Sequence, residues 1–285
     1  MKQKRFTFLL LFVANLFCAS AQKWYTPEID QKVEDLLKQM TVEEKLGYIG
    51  GVNWMYTKSI DRLGIHRMKM SDGPQGLGTN GKSTAYPSTV TLAATWNENL
   101  AYQYGKALGR DCRARNVNVI LGPAVNIYRA PMCGRNFEYM GEDPYLTSRI
   151  CVGYIKGVQD QGVMATVKHF VANNSDYDRN NISNDIDERT LNEIYFPAYK
   201  AAIQEAEVGA VMTSYNLMNG IYTTENPWLL KEVLRNQWGF KGLVMSDWGS
   251  THYCVPAAKG GLDLEMAGGE KMNPKDMAYY LKTGD

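Results

Sequence analysis

The sequence of 285 residues has no excess of charge of either sign, since 31 Lys and Arg residues stand against 30 Asp and Glu residues. A formal net charge of +1 gives no reason to expect nucleic acid or an anionic membrane as a partner. Low-complexity segments and short-period repeats are also absent. Because 45% of the residues are hydrophobic, the chain can form an ordinary core in one large domain or two smaller ones.

Cysteine is sparse, and its spacing does not suit two common uses. Beyond residue 21 the cysteines are Cys112, Cys133, Cys151 and Cys254. Such wide spacing resembles neither the disulfide framework of a small secreted domain nor a zinc site. We therefore expect free thiols, mostly buried, and no metal or other cofactor.

Long hydrophobic runs are absent beyond the N-terminus, so no membrane span is expected. A basic start (residues 1–5) precedes an apolar run (residues 6–17) and the small residues Ala19-Ser20-Ala21. This pattern predicts a secretory signal peptide at residues 1–21, cleaved after Ala21, and export to the periplasm or the extracellular space. Cys18 leaves a lipoprotein as the alternative, although the bulky Phe17 before it fits that pattern poorly.

Residues 22–285 alternate between strand-like and helix-like segments, which predicts an α/β fold with a parallel sheet covered by helices. The predicted strands are 67–72, 89–94, 117–121, 163–167, 210–214, 243–246 and 262–266, and the main predicted helices are 29–40, 97–115, 147–160, 187–205 and 227–237. About seven strands over this length favour a (β/α)8 TIM-barrel-like domain. We expect it to be truncated near its C-terminal end, within a last helix.

Five polar residues each follow a predicted strand: Asp72, Lys168, His169, Tyr215 and Asp247. In a barrel the C-terminal ends of the strands meet at one face, where active sites are built. All five would then meet at one mouth. Polar residues after strands are common in any barrel, so this arrangement permits an active site without proving one.

Asp247 ends a buried run at residues 243–246 and precedes Trp248, a flat apolar surface of the kind that suits a sugar ring. We expect Arg135, Lys168 and His169 to keep this carboxylate ionised, because nearby positive charge favours the charged form. An ionised aspartate at that position can act as the nucleophile of a glycoside hydrolase. Plainer interpretations remain: a turn for Asp72, a loop salt bridge for Arg135, a structural histidine for His169 and a core residue for Trp248.

Three motifs stand in the order found in family 3 glycoside hydrolases. They are Gly134-Arg135-Asn136-Phe137-Glu138-Tyr139 with Gly141-Glu142-Asp143-Pro144-Tyr145, then Lys168-His169-Phe170, then Ser246-Asp247-Trp248. The chain therefore resembles the N-terminal barrel domain of the β-glucosidases of that family.

The resemblance implies a role for each residue that matches a motif. Asp247 would be the retaining nucleophile. The remaining residues would bind the sugar or line its subsite, namely Asp72, Arg135, Lys168, His169, Met212, Tyr215 and Trp248, with Arg179 as a further member of the polar network. No cofactor is implied.

Two departures from the family pattern matter. Members that act on N-acetylglucosamine carry Pro-Gly-His-Gly-Asp after Lys-His-Phe, whereas Val171-Ala172-Asn173-Asn174 follows here, which disfavours that activity. The usual glutamate acid/base belongs to an α/β-sandwich domain that follows the barrel, and we expect this domain to be absent. Glu142, Glu225 and Glu265 are available carboxylates, but the sequence assigns none of them to the role.

The expected function is that of a retaining, exo-acting β-glucosidase that releases terminal non-reducing β-D-glucose from glucosides or oligosaccharides. Without its acid/base, such a barrel would act mainly on glycosides with good leaving groups. Three alternatives stay open: a β-xylosidase or dual glucosidase–xylosidase, a Schiff-base aldolase that uses Lys168, and a sugar-binding barrel without catalytic activity.

Overall fold

A computed structural model describes residues 26–79 and 81–284, so the predicted signal peptide lies outside the described part of the chain. The main sheet has five parallel strands in the order β1-β2-β3-β5-β8, and a small sheet has the order β4-β6-β7. In chain order the strands are β1 (Met70–Asp72), β2 (Val119–Leu121), β3 (Met164–Phe170), β4 (Ser183–Asn184), β5 (Ala210–Thr213), β6 (Leu217–Met218), β7 (Ile221–Tyr222) and β8 (Leu243–Met245).

Short pairings close the five-stranded sheet into a ring. They are Met245–Leu264 and Gly50–Glu265, both parallel, and Val52–Tyr56 and Tyr56–Lys69, both antiparallel. The α/β barrel predicted from the sequence is therefore confirmed. It differs from a regular barrel because a hairpin at residues 50–56 contributes an antiparallel pair beside β1.

The barrel interior is lined by apolar side chains from the hairpin, from β1, β2, β5 and β8, and from residues 264–266. Its buried members are Met55, Met70, Val119, Leu121, Ala210, Met212, Met245, Leu264 and Met266. Five of the nine are methionines, whose unbranched and flexible side chains fill the irregular space that a ring of unequal segments leaves.

Helices surround the ring. They are α1 (Pro27–Gln39), α2 (Val42–Tyr48), α3 (Thr89–Ala93), α4 (Glu98–Ala114), α5 (Pro144–Gln159), α6 (Glu188–Thr190), α7 (Pro197–Gln204), α8 (Cys254–Gly260) and α9 (Pro274–Thr283), with π-helical segments at Leu191–Tyr195 and Trp228–Gln237. Thr41 and Glu44 form a capping box at α2, and Asn97 caps α4. Within the described residues, no helix has the length and apolar character needed to cross a bilayer.

Helices α4 and α5 touch backbone to backbone. A Cβ atom added at Gly157 of α5 would lie 2.1 Å from the carbonyl oxygen of Tyr102 in α4. The same holds in the other direction, since a Cβ at Gly105 would lie 2.1 Å from the carbonyl oxygen of Tyr154. Glycine at these two positions therefore sets the spacing between the two helices.

Three predicted elements differ from the structure. Residues 89–94 were predicted to form a strand but form helix α3, since Ser88 Oγ accepts a hydrogen bond from the Thr91 amide and caps a helix there. Residues 262–266 make single bridges rather than a regular strand. Strand β3 continues to Phe170, so Lys168 and His169 lie within the strand and not after it.

The cysteine prediction is confirmed for all four described cysteines. Each is free: Cys112, Cys133 and Cys151 are buried, and Cys254 is partly buried. Burial raises the pKa of the Cys112 thiol to about 12, so this thiol stays protonated and unreactive at neutral pH.

Candidate active site

The C-terminal ends of the barrel strands bring the predicted site residues together. Lys168 Nζ lies 3.0 Å from Asp72 Oδ1, which joins β3 to β1. Asp247, after β8, lies 3.7 Å from Arg135 Nη1 and 3.6 Å from His169 Nε2, both measured to Oδ2. The loop after β2 supplies Arg135. Four chain segments thus meet at one mouth.

The two oxygens of the Asp247 carboxylate have different surroundings. Oδ1 accepts a hydrogen bond from the Trp248 backbone amide at 2.7 Å. Oδ2 is buried and accepts no hydrogen bond within the described residues. In this conformation Oδ2 therefore has lone pairs that no hydrogen bond of the described residues satisfies, while Arg135 and His169 lie beside it.

Burial raises the pKa of Asp247, although the positive charges of Arg135 and Lys168 oppose this shift. The neighbouring charges alone would have lowered this pKa, which is the direction expected from the sequence. A carboxylate with a raised pKa is more basic, and it is a stronger nucleophile once ionised.

His169 is neutral, contrary to its expected contribution of positive charge. Burial, followed by the charges of Arg135 and Lys168, lowers the pKa of His169 well below its usual value. The geometry agrees, because Arg135 Nη2 donates to Nε2 at 2.7 Å while Nδ1 lies 3.2 Å from the side-chain oxygen of Asn126. This arrangement requires the tautomer with its proton on Nδ1.

An irregularity in β3 turns two consecutive side chains toward the mouth. In a regular strand, neighbouring side chains point to opposite faces. The pairing of β3 with β5 shifts register between Val167 and Phe170, which are the residues that flank Lys168 and His169. Asn126 fixes this stretch by exchanging two hydrogen bonds of 2.9 Å with the backbone of His169. Both side chains therefore reach the site.

Glu138 is a buried member of the site whose role the sequence analysis missed. Its Oε1 lies 2.5 Å from Arg135 Nε, and its Oε2 lies 3.6 Å from Lys168 Nζ. The hydroxyl of Thr89 donates to the Glu138 carbonyl at 2.5 Å and so anchors the loop to α3. The available signal was its position three residues after Arg135 within the motif at residues 134–139.

Lys168 carries its charge despite nearly complete burial. Burial lowers the pKa of Lys168, but the carboxylates of Glu138 and Asp72 outweigh this effect, so the net shift is upward. A Schiff base requires a neutral amine. The paired ammonium therefore counts against the aldolase alternative.

Asp72 faces the open side of the site, with 55% of its side chain exposed. Partial burial would raise the pKa of Asp72, but the Lys168 ammonium and the Arg135 guanidinium hold it below the usual value. Asp72 is therefore an ionised acceptor at the rim, in the position where a hydroxyl-bearing ligand would enter.

The remaining predicted residues surround this cluster. The Arg179 guanidinium lies 4.0 Å from the centre of the Tyr215 ring, and burial together with the charge of Asp247 raises the pKa of Tyr215. Trp248 is partly buried and donates from Nε1 to the Trp54 carbonyl at 2.9 Å. Met212 is 1% exposed and packs inside the barrel, below the site, so its role in lining a subsite stays a prediction.

Two of the three carboxylates considered as acid/base are held by backbone amides. Glu225 Oε1 accepts from the amides of His252 and Tyr253 at 3.0 and 2.8 Å. Glu265 Oε2 accepts from the Met272 amide at 2.6 Å. Glu142 is exposed. The geometry assigns the acid/base role to none of them.

Comparisons with known proteins identify relatives of this chain. The family model described as "Glycosyl hydrolase family 3 N terminal domain" matches residues 37–281. A "Beta-glucosidase" of Rhizobium radiobacter is 47% identical over 251 residues, which are 84% of this chain and 31% of that protein. The "Thermostable beta-glucosidase B" of Acetivibrio thermocellus is 44% identical over 264 residues, which are 88% of this chain and 35% of that protein.

Solved structures of similar proteins also match most of this chain. The structure of β-glucosidase 3B from Thermotoga neapolitana in complex with α-D-glucose matches with a TM-score of 0.85 at 38% identity, covering 89% of this chain and 40% of that one. A β-glucosidase from Kluyveromyces marxianus in complex with glucose matches with a TM-score of 0.87 at 36% identity, covering 88% and 31%. The chain spans about a third of the length of the curated relatives described above.

Proposed function

Since the chain belongs to glycosyl hydrolase family 3 and contains its N-terminal domain, we propose that the protein is a retaining, exo-acting β-glucosidase. Its substrates would be β-glucosides or oligosaccharides from which it releases terminal non-reducing β-D-glucose. One observation carries the proposal: a buried aspartate at a barrel strand end, with one oxygen free of hydrogen bonds and a guanidinium beside it. The names of the relatives and the glucose complexes support it.

In the proposed reaction, Asp247 Oδ2 attacks the anomeric carbon and the bond to the leaving oxygen breaks. A glycosyl ester on Asp247 forms, and the leaving oxygen takes a proton from a general acid. Water then attacks the anomeric carbon of the ester and gives its proton to the conjugate base of that acid, which frees glucose with retained configuration and restores the carboxylate. Arg135 stays beside Oδ2 and steadies the negative charge before attack and after release.

The surrounding groups supply the donors and acceptors that a glucosyl unit needs. Asp72 accepts hydrogen bonds from sugar hydroxyls at the rim, while the Lys168 ammonium and the Arg135 guanidinium donate to them. His169 holds Arg135 in place through its neutral Nε2. Tyr215 offers a protonated hydroxyl, and the face of Trp248 offers an apolar surface for the ring.

Covalent labelling tests this proposal directly. The protein is incubated with 2-deoxy-2-fluoro-β-glucosyl fluoride, which needs little acid assistance to leave, and intact mass and peptide maps are measured. We expect a stable glycosyl adduct on Asp247, and none in the Asp247→Asn variant. Glucose binding without any adduct on the folded protein would instead support the sugar-binding barrel. Faster labelling by the 2-fluoro-xylosyl analogue would support the xylosidase alternative.

We further propose that residues 1–21 direct export and are removed after Ala21. Mass spectrometry of the protein from the periplasm or medium should then find Gln22 as the first residue. A mature protein that begins at Cys18 and carries acyl groups would show the lipoprotein alternative instead.

A further inference from the structure

A second pocket of about 480 Å³ lies at the opposite end of the barrel from Asp247. Its lining includes Lys69, just before β1, and Asn118, just before β2, so it opens at the amino ends of these strands. Asp72, by contrast, is at the carboxyl end of β1. The two sites are therefore separated by the length of the barrel.

The pocket gathers four cationic side chains and no carboxylate. They are Arg67, Lys69, Arg113 and Arg115. Within residues 26–79 and 81–284, none of them has a carboxylate within 4.0 Å, whereas the partly buried Arg149 and Arg235 pair with Glu205 and Asp263. Positive charge is therefore concentrated here without a counter-charge from the protein.

Neutral contacts hold three of the four cations in place. The Arg67 guanidinium lies 4.7 Å from the centre of the Tyr56 ring. Lys69 Nζ donates to the Arg115 carbonyl at 3.1 Å, and Arg115 Nη2 donates to the Lys82 carbonyl at 2.7 Å. Each contact leaves donors of the same group free. Ordered donors bind a ligand with less loss of side-chain entropy than mobile ones do.

We propose that this pocket binds a ligand that bears a phosphate or sulfate group. Such a group has several acceptor oxygens, which match the forked donors of arginine, and its charge relieves the repulsion between the four cations. The volume is in the range of small-molecule sites, so it admits the anionic group together with a sugar-sized body. The proposal does not depend on glucosidase activity.

Thermal unfolding in low-millimolar inorganic phosphate, and separately in sulfate, tests the proposal at constant ionic strength set with sodium chloride. We expect a saturable rise in Tm for the wild type. The double variant Arg67→Gln/Arg113→Gln should lose roughly tenfold or more in affinity, because charge-assisted bonds to the anion disappear. Neither side chain makes a hydrogen bond among the described residues, so these replacements leave the fold intact.

The matched control is Arg189→Gln/Lys282→Gln, which removes the same charge at exposed positions on α6 and α9. This control should bind phosphate as the wild type does. If both double variants lose phosphate affinity equally, or if the rise in Tm does not saturate, phosphate stabilises the protein only as a general salt effect. Either result would overturn the proposal.

Two probes separate the sources of the anionic group. Glucose 6-phosphate, measured by calorimetry, represents soluble phosphorylated sugars, and vesicles of phosphatidylglycerol, measured by co-sedimentation, represent lipid headgroups. Binding of either probe that depends on Arg67 and Arg113 identifies the source. If inorganic phosphate and both probes all fail to bind the folded protein, the proposal is wrong.

Discussion

Replacing Glu138 by glutamine removes the carboxylate that contacts both cations of the active site, buried Lys168 and partly buried Arg135. The cluster holds two cations, Arg135 and Lys168, and three carboxylates, Asp72, Glu138 and Asp247. With Asp247 ionised, its net charge is therefore −1. Glutamine has nearly the same shape, so the variant changes the charge of the cluster and little of its packing.

The effect on Asp247 follows from Coulomb's law. Glu138 and Asp247 contact different nitrogens of the Arg135 guanidinium, Nε at 2.5 Å and Nη1 at 3.7 Å. For a separation of roughly 8 Å and an effective dielectric constant of about 20, losing one negative charge is worth about 2 kcal/mol, or roughly 1.5 pKa units. Since a negative neighbour disappears, the pKa of Asp247 falls.

The rate of labelling by 2-deoxy-2-fluoro-β-glucosyl fluoride, measured against pH, reports this change. Labelling needs ionised Asp247, so the acid limb of the profile should move down by roughly 1 to 1.5 pH units. The plateau should fall as well, because a less basic carboxylate is a weaker nucleophile. Glu225→Gln is the matched control, since Glu225 is also buried but is held by backbone amides. If the limb of folded Glu138→Gln stays in place or moves up, the electrostatic account fails.

Three further outcomes are expected. Asp247→Asn should raise the free energy of unfolding at pH 7, because burial raises the folded-state pKa of Asp247 and its ionisation therefore destabilises the fold. Urea denaturation at pH 4 should show a smaller gain. Equal gains at both pH values would refute this reasoning. Borohydride with an aldehyde or ketone sugar should leave Lys168 unmodified at neutral pH, because its pKa is raised and the amine stays protonated; a trapped adduct in the peptide map would revive the aldolase alternative. Gly157→Ala should lower the free energy of unfolding by about 2–3 kcal/mol, because the added Cβ would meet the Tyr102 carbonyl. The control is Gly47→Ala in α2, where the added Cβ has open space and should cost no stability. Similar urea midpoints for the two variants would contradict the α4–α5 packing.

Local signals in the sequence were sufficient for most of the helices and most of the strands. A helix start is marked by its cap residue and by the spacing of apolar residues. Both signals lie within a few residues of that start, as at Asn97, so they can be read from the sequence. Residues 89–94 were predicted to form a strand because Thr and Val favour strands. Burial of Thr89 and its hydrogen bond to the Glu138 carbonyl are contacts across 49 residues, which no local pattern reveals.

The candidate site was likewise predictable from the sequence only in part. Residues after strands were predicted to meet because the topology of a barrel requires it, and Asp72, Lys168 and Asp247 do meet. The role of Glu138 and the neutral state of His169 were not predictable from spacing. Both depend on distances across the loop that follows β2, and on a balance between burial and charge that only three-dimensional contacts determine.

Oxidation of the methionines that line the barrel interior can report how often the barrel opens. Peroxide converts methionine to a polar sulfoxide, which a dry interior does not accommodate. Met70, Met212, Met245 and Met266 are almost fully shielded in the folded ring, while Met132 is 90% exposed. Under mild oxidation Met132 should therefore react at once, and the interior methionines only when the ring opens. Their oxidation rates would then measure how often the strands separate in the native protein, residue by residue.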